Sequence, residues 1–269
     1  MSTADEVVAR SVFSPVIGLF RWNIPNGLAV GLDGLKYRPL KVTGGAFGSH
    51  LVLNDGQVLG VYKWGHGRGA QHEVAAFELS DETGLGVVPR TRRWTGRYGE
   101  GVLQDYVPAT AGITVVRKGE RTQRMAAFDY AVAQGDRPEV DENFLVREGG
   151  ELMSHDNGTS FVKPAPGKTE FIQSNFVVAH LNEPLHPRLL DRLRSTDLGR
   201  LTDRLYGAEL DAPDVEGTVA RVTEMREEGR ITGRAWNGLI LDSGYAVKYP
   251  SEAPSVEEWI GSTGRGAAL

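Results

Sequence analysis

The chain has 269 residues, 40% hydrophobic and 24% charged, with a formal net charge of −5 at pH 7. That length holds one large domain or two intimately packed parts, because single cores stop growing near ~250–300 residues. Interspersed acids and bases argue against a nucleic-acid binder that relies on a basic face, and the absence of cysteine excludes disulfides, thiolate nucleophiles and cysteine metal sites.

The N-terminal stretch carries Asp5 and Glu6 where a signal peptide needs positive charge, and Arg10, Ser14 and Pro15 interrupt its apolar run. No run reaches the ~20 apolar residues of a membrane span, so a soluble cytoplasmic protein with no membrane partner is expected. Residues 1–39, with the turn Pro25-Asn26-Gly27, read as a β-rich or irregular N-terminal extension. From Leu40 the pattern turns to short strands. Leu51–Leu53 and Val58–Tyr62 flank Asn54-Asp55-Gly56 and predict a β-hairpin. HEVAAFELSDETG predicts a helix ending near Gly84, and VVPRTRRW and GVLQDYVPA predict two further strands.

After Pro108 the pattern becomes mainly helical. RTQRMAAFDYAVAQ spaces Met125, Phe128 and Val132 as a buried stripe, and FLVREGGELMSH reads as two strands around Gly149-Gly150. Two amphipathic stretches follow, LHPRLLDRLRSTDLGRLTDRLYG and PDVEGTVARVTEMREEGRI, with Asp214 as the expected N-cap and Gly229 as the expected C-cap. Residues 261–269 read as a disordered tail. The order implies an α+β protein with two lobes, residues 40–107 and 108–260, in the manner of the protein-kinase fold.

Phosphoryl transfer asks a protein for backbone donors over the phosphates, a cation, oxygen ligands for Mg²⁺ and a carboxylate facing the acceptor hydroxyl. Each has candidates. Gly44, Gly45, Gly48 and Ser49 open the hairpin, where glycines let backbone N–H groups approach an anion, although an ordinary strand-entry loop looks the same. Lys63 ends the strand VLGVYK, and Glu73 opens the next helix, a position the helix dipole also favours for structural reasons. Asp136 lies seven residues before Asn143, which precedes the strand Phe144–Val146. Pairing across Gly149-Gly150 brings Asn143 and Asp156 to one end of the hairpin, where an amide oxygen and a carboxylate suit a hard cation. Asp136 then faces the acceptor as base. WGHGRGAQ beside Lys63 reads as a flexible linker, with closure over phosphates through Arg68 as the alternative.

These strings resemble the bacterial proteins related to phosphatidylinositol 3- and 4-kinases over residues 40–232, through LVLNDGQVLGVYKW, HEVAAFELSDETGLGVVPRT, GVLQDYVP, GDRPEVDENFLV and LMSHDNGTSF. The resemblance implies that Lys63 contacts the α- and β-phosphates and pairs with Glu73. It implies that Gln104, Asp105, Tyr106 and Val107 form the hinge holding adenine. It makes Asp136 the catalytic aspartate, Asn143 and Asp156 the metal ligands, and His155 a supporting residue. The family's histidine after the Asp-Arg pair is absent, and Asp136 and Asn143 are two residues further apart than usual, so Asp141 competes for the catalytic role.

The expected function is an ATP-dependent phosphotransferase acting on a hydroxyl of a protein or small molecule, with Mg²⁺ or Mn²⁺. AMP transfer on the same fold and a nucleotide-binding pseudokinase that acts by partner binding are the alternatives. A lipid substrate is disfavoured by the lack of a polybasic cluster.

Overall fold

In the computed structural model, which describes residues 29–30, 34–40, 48–65, 67–113, 119–137, 140–161, 170–242 and 244–250, the chain is a mixed α+β fold of three sheets and six helices among those residues. The hairpin at Asp55-Gly56 sets the first sheet. Both residues take left-handed backbone, with φ of 47° and 83°, which gives the tight two-residue turn that joins β3 (Gly48–Asn54) to β4 (Gln57–Trp64). β1 (Ala29–Val30), β2 (Lys36–Leu40), β5 (Thr91–Gly96) and β6 (Gly99–Gln104) complete an antiparallel sheet in the order β1-β2-β3-β4-β6-β5. The stretch 1–39 therefore contributes strands to this sheet: Tyr37 pairs with Val52 and is wholly buried.

Strand alternation gives the sheet two different faces. Tyr37, Val52, Tyr62 and Leu103 form one cluster, capped by Trp64, Trp94 and Tyr98. Val102 points the other way into the main core, beneath helix α1 (Arg68–Glu82). Lys63 pairs with Val102 and so lies on the α1 face. The strands approach closely at two glycines. A Cβ on Gly60 would sit 2.5 Å from Gln104 O, and one on Gly101 would sit 2.2 Å from Lys63 O.

Helix α1 begins at Arg68, five residues before Glu73: Ala70 and Gln71 extend the helical run, and Gly69 is accommodated in its first turn. Arg68–Gln71 is a helical turn and not a linker, and Glu73 is in the second turn rather than the first. Arg68 pairs with Asp211 at 2.7 Å. At the other end Gly84, with φ of 65°, stops the helix, and Ser80 Oγ accepts from Val87 N and Val88 N to set the exit toward β5.

Residues beyond Pro108 carry more strand than their sequence suggests. β7 (Ala109–Ile113), β8 (Val140–Arg147) and β9 (Leu152–Ser154) form a second antiparallel sheet. β10 (Phe171–Gln173), β11 (Leu239–Leu241) and β12 (Val247–Tyr249) form a third. The β8–β9 hairpin is expected from the sequence, whereas β10, β11 and β12 have three residues each, too short to show a period, which is why the sequence does not announce them. Around these pack α2 (Glu120–Ala131), α3 (Asn175–His180), α4 (Pro187–Ser195), α5 (Leu198–Gly207) and α6 (Ala212–Glu228). Helix α6 starts at Ala212 with Asp211 at the N-cap, so Asp214 is a first-turn residue and not the cap; Pro213 is tolerated in that turn, where the N–H has no helical partner. Gly229 ends α6 in the left-handed conformation, with φ of 65°. The tail 261–269 lies outside the described residues.

Gly101→Ala should force β4 and β6 apart beside Lys63 and lower stability by roughly 1–3 kcal/mol. Urea unfolding monitored by far-UV circular dichroism measures this, and an unchanged midpoint would contradict the close approach.

Candidate functional site

Lys63 and Glu73 meet because β4 delivers the lysine to the α1 face and α1 crosses that face one turn after its start. Lys63 Nζ donates to Glu73 Oε1 at 2.5 Å, with only 12% and 4% of the two side chains exposed. Together with Val102, Asp156 and Gly158 they line a cleft open to solvent, bordered also by Trp64, Gly65, Gly69 and Ala70. A cation, its carboxylate partner and a second carboxylate thus share one cavity.

The loop after α2 is held by Arg137, a side chain with no exposed surface. Its Nε donates to Asp129 Oδ1 at 2.8 Å, and Nη2 donates to Ser154 Oγ at 2.6 Å and to Asn157 Oδ1 at 3.3 Å. Its Nη1 donates to Asn143 O. Asp129 takes a further bond from Ser174 Oγ at 2.7 Å; burial pushes its carboxyl above the usual range, and the Arg137 guanidinium opposes that push. One fork therefore joins α2, the Asp136 loop, the segment behind Asp156 and β8 at Asn143, which lies inside that strand and not, as expected, just before it.

Asn143 and Asp156 lie at the same end of the β8–β9 hairpin: Phe144 pairs with Ser154, and His155 N donates to Asn143 O at 3.2 Å. Asn143 Nδ2 donates to Asp136 O at 2.6 Å, so its amide oxygen points away from that carbonyl. Asp136 is exposed, and its N–H donates to Gln134 Oε1 at 3.0 Å. Asp156 has left-handed backbone, with φ of 57°, as does Phe161 at 54°. Asp136 and Asn143 do not line the Lys63 cleft.

Among the described residues no three His, Asp or Glu side chains converge as a metal cage. One carboxylate and one amide nevertheless fit Mg²⁺, which keeps several waters and takes its remaining ligands from substrate phosphates.

Other expected residues fall in less telling places. Gly44 and Gly45 are outside the described residues. Gly48 lies under the Trp64 indole, where a Cβ would be 2.2 Å from Nε1, so packing by itself accounts for this glycine. Ser49 is opposite Lys63 in the ladder. Gln104 is buried and donates to Thr91 Oγ1 at 3.0 Å, while Asp105 N donates to Arg90 O at 2.8 Å. Tyr106 is exposed and Val107 half-buried, on the strand-free segment between β6 and β7, and none of these four lines the cleft. Asp141 pairs with Gly112 in the β7–β8 ladder, and its side chain lies outside the described residues.

Sequence reasoning missed Asp129, Ser154, Asn157 and His72. Asp129 carried a signal: a carboxylate inside the apolar run AAFDYAVA demands a buried partner. His72 is buried, with its ring 5.6 Å from that of Phe161, and Nδ1 lies 3.0 Å from Gly158 O. A carbonyl only accepts, so Nδ1 carries the proton. This contact ties α1 to the Asp156–Gly158 segment.

Burial holds the His72 pKa below its ordinary value, against the opposing pull of the Gly158 carbonyl. The folded state thus favours the neutral ring. The stability this gives is fully present above the unfolded-state value and is lost as pH falls through the depressed folded-state value. His72→Gln should shrink the loss of urea stability between about pH 7.5 and about pH 5.5, and an identical loss in both proteins would contradict it. No family model and no curated protein matches the chain.

Proposed function

We propose that the protein is an ATP-dependent phosphotransferase with a two-lobed, kinase-like arrangement. The observation that carries this reading is the buried Lys63–Glu73 pair lining one cleft with Asp156. The six-stranded sheet with α1 forms one lobe, residues 105–108 connect it to the rest, and the mainly helical remainder forms the other.

Lys63 is held extended by Glu73 and meets the non-transferred phosphates as a fixed cation. Asn143 and Asp156 would hold the metal ion, one through its amide oxygen and the other through its carboxylate. When bound, Mg²⁺ neutralises charge on the phosphate oxygens. Asp136 is exposed on its loop and accepts the proton of an incoming hydroxyl. The acceptor hydroxyl belongs to a protein or a small molecule. Among the described residues no helix is long and apolar enough to cross a membrane.

The test is incubation with Mg²⁺ and γ-labelled ATP, following label on the protein and on added lysate. Asp156→Ala should abolish labelling and keep the thermal melt near wild type. Asp136→Ala should keep nucleotide binding and lower turnover by about 10²–10⁴-fold. Greater damage from Asp141→Ala would move the base to Asp141, and wild-type protein that binds no ATP would remove the reading.

A further inference from the structure

Asn157 stands between the two halves of the site and has no exposed surface. Its Oδ1 accepts from Ser154 Oγ at 2.5 Å and from Arg137 Nη2 at 3.3 Å. With two donors fixed on the oxygen, the amide nitrogen has one direction left. Nδ2 faces Glu73 Oε2 at 3.5 Å, while the other oxygen of Glu73 takes Lys63. The contact is long, so it orients Glu73 rather than binding it tightly.

The side chain at this place must accept on one side and donate on the other, and at this length only an amide does both in a fixed plane. Leucine would leave Ser154, Arg137 and Glu73 each short of a partner. Aspartate would keep the Ser154 and Arg137 bonds but set a second carboxylate against Glu73, both competing for Lys63.

We propose that Asn157 is a positioning residue, the junction through which the Lys63–Glu73 pair and the segment carrying Asp156 are set as one unit. The continuous path runs Lys63, Glu73, Asn157, Ser154 and Arg137, and Arg137 also holds the Asn143 carbonyl. The proposal deepens the phosphotransferase reading and rests on it for its consequence: the cation for the phosphates and the ligands for the metal ion are placed by the same amide. Arg137 itself is a poor probe, since removing it leaves Asp129 buried without its cation.

The experiment compares ATP affinity with and without Mg²⁺ in the full chain for wild type, Glu73→Ala, Asn157→Asp and the double variant, each first checked for a cooperative melt. Glu73 is not among the proposed metal ligands, so a local role predicts an unchanged Mg²⁺ gain in Glu73→Ala. The junction predicts that this gain falls by roughly 10–100-fold. It also predicts that Asn157→Asp produces the same loss and that the double variant adds nothing further.

An unchanged gain in Glu73→Ala, or additive losses in the double variant, overturns the proposal. Should Asn157→Asp fail to fold, Ser154→Ala replaces it, since it loosens the amide oxygen and leaves Asn157 in place. A second measurement needs no nucleotide: hydrogen exchange at residues 154–158 should quicken several-fold in Glu73→Ala. If wild-type protein binds no ATP, the phosphotransferase reading fails and exchange alone decides, with unchanged rates at 154–158 sinking the junction.

Discussion

The ion pair of Arg137 and Asp129, both without exposed surface, is the constraint on which the site depends. A buried guanidinium is tolerable only when its donors are satisfied, and here one carboxylate, one hydroxyl, one amide oxygen and one backbone carbonyl receive them. A planar fork of donors can reach four acceptors in fixed directions, which the rotating ammonium of a lysine cannot. The loop bearing Asp136 therefore has little freedom beside Arg137, although Asp136 itself points to solvent.

Helix α2 carries Asp129 and is itself anchored at its end. Arg221 donates to the Ala131 carbonyl through Nε at 3.1 Å and Nη2 at 2.9 Å, placing a cation where the helix dipole favours one. Burial lowers the Arg221 pKa to about 10, against neighbours that include Tyr130 and Glu224. Glu224, one turn along α6, gathers Tyr130 Oη, Thr232 N, Gly233 N and Ala235 N. The segment leading to β11 is thus fastened to the same helix pair.

Helix α1 is fixed from two sides. The sheet beneath it presents Val102 and Lys63, and α5 grips its outer face through Arg204, which pairs with Glu78, Asp81 and Glu82, while Arg200 adds a second bond to Glu82. Carboxylates at 78, 81 and 82 share one helical face and would repel each other without these cations. These contacts are partly solvated and weaken with salt. Their effect is to set the angle of the helix that carries Glu73.

Several features were legible in the residues alone because they depend on neighbours along the chain. The Asp55-Gly56 turn, the buried stripe of α2, the end of α1 at Gly84 and the Gly149-Gly150 hairpin all follow from local backbone preference and period. The adjacency of Asn143 and Asp156 follows from the hairpin register. Other features needed the tertiary structure. Whether Lys63 reaches Glu73 depends on which sheet face α1 covers, and the parity of β4 fixes that only once its register with Val102 exists. The partners of Asp129 and Asn157 come from segments far apart in sequence, so a buried carboxylate or amide announces a need without naming what meets it. Distance along the chain carries no information about direction in space, and a polar network is a matter of direction.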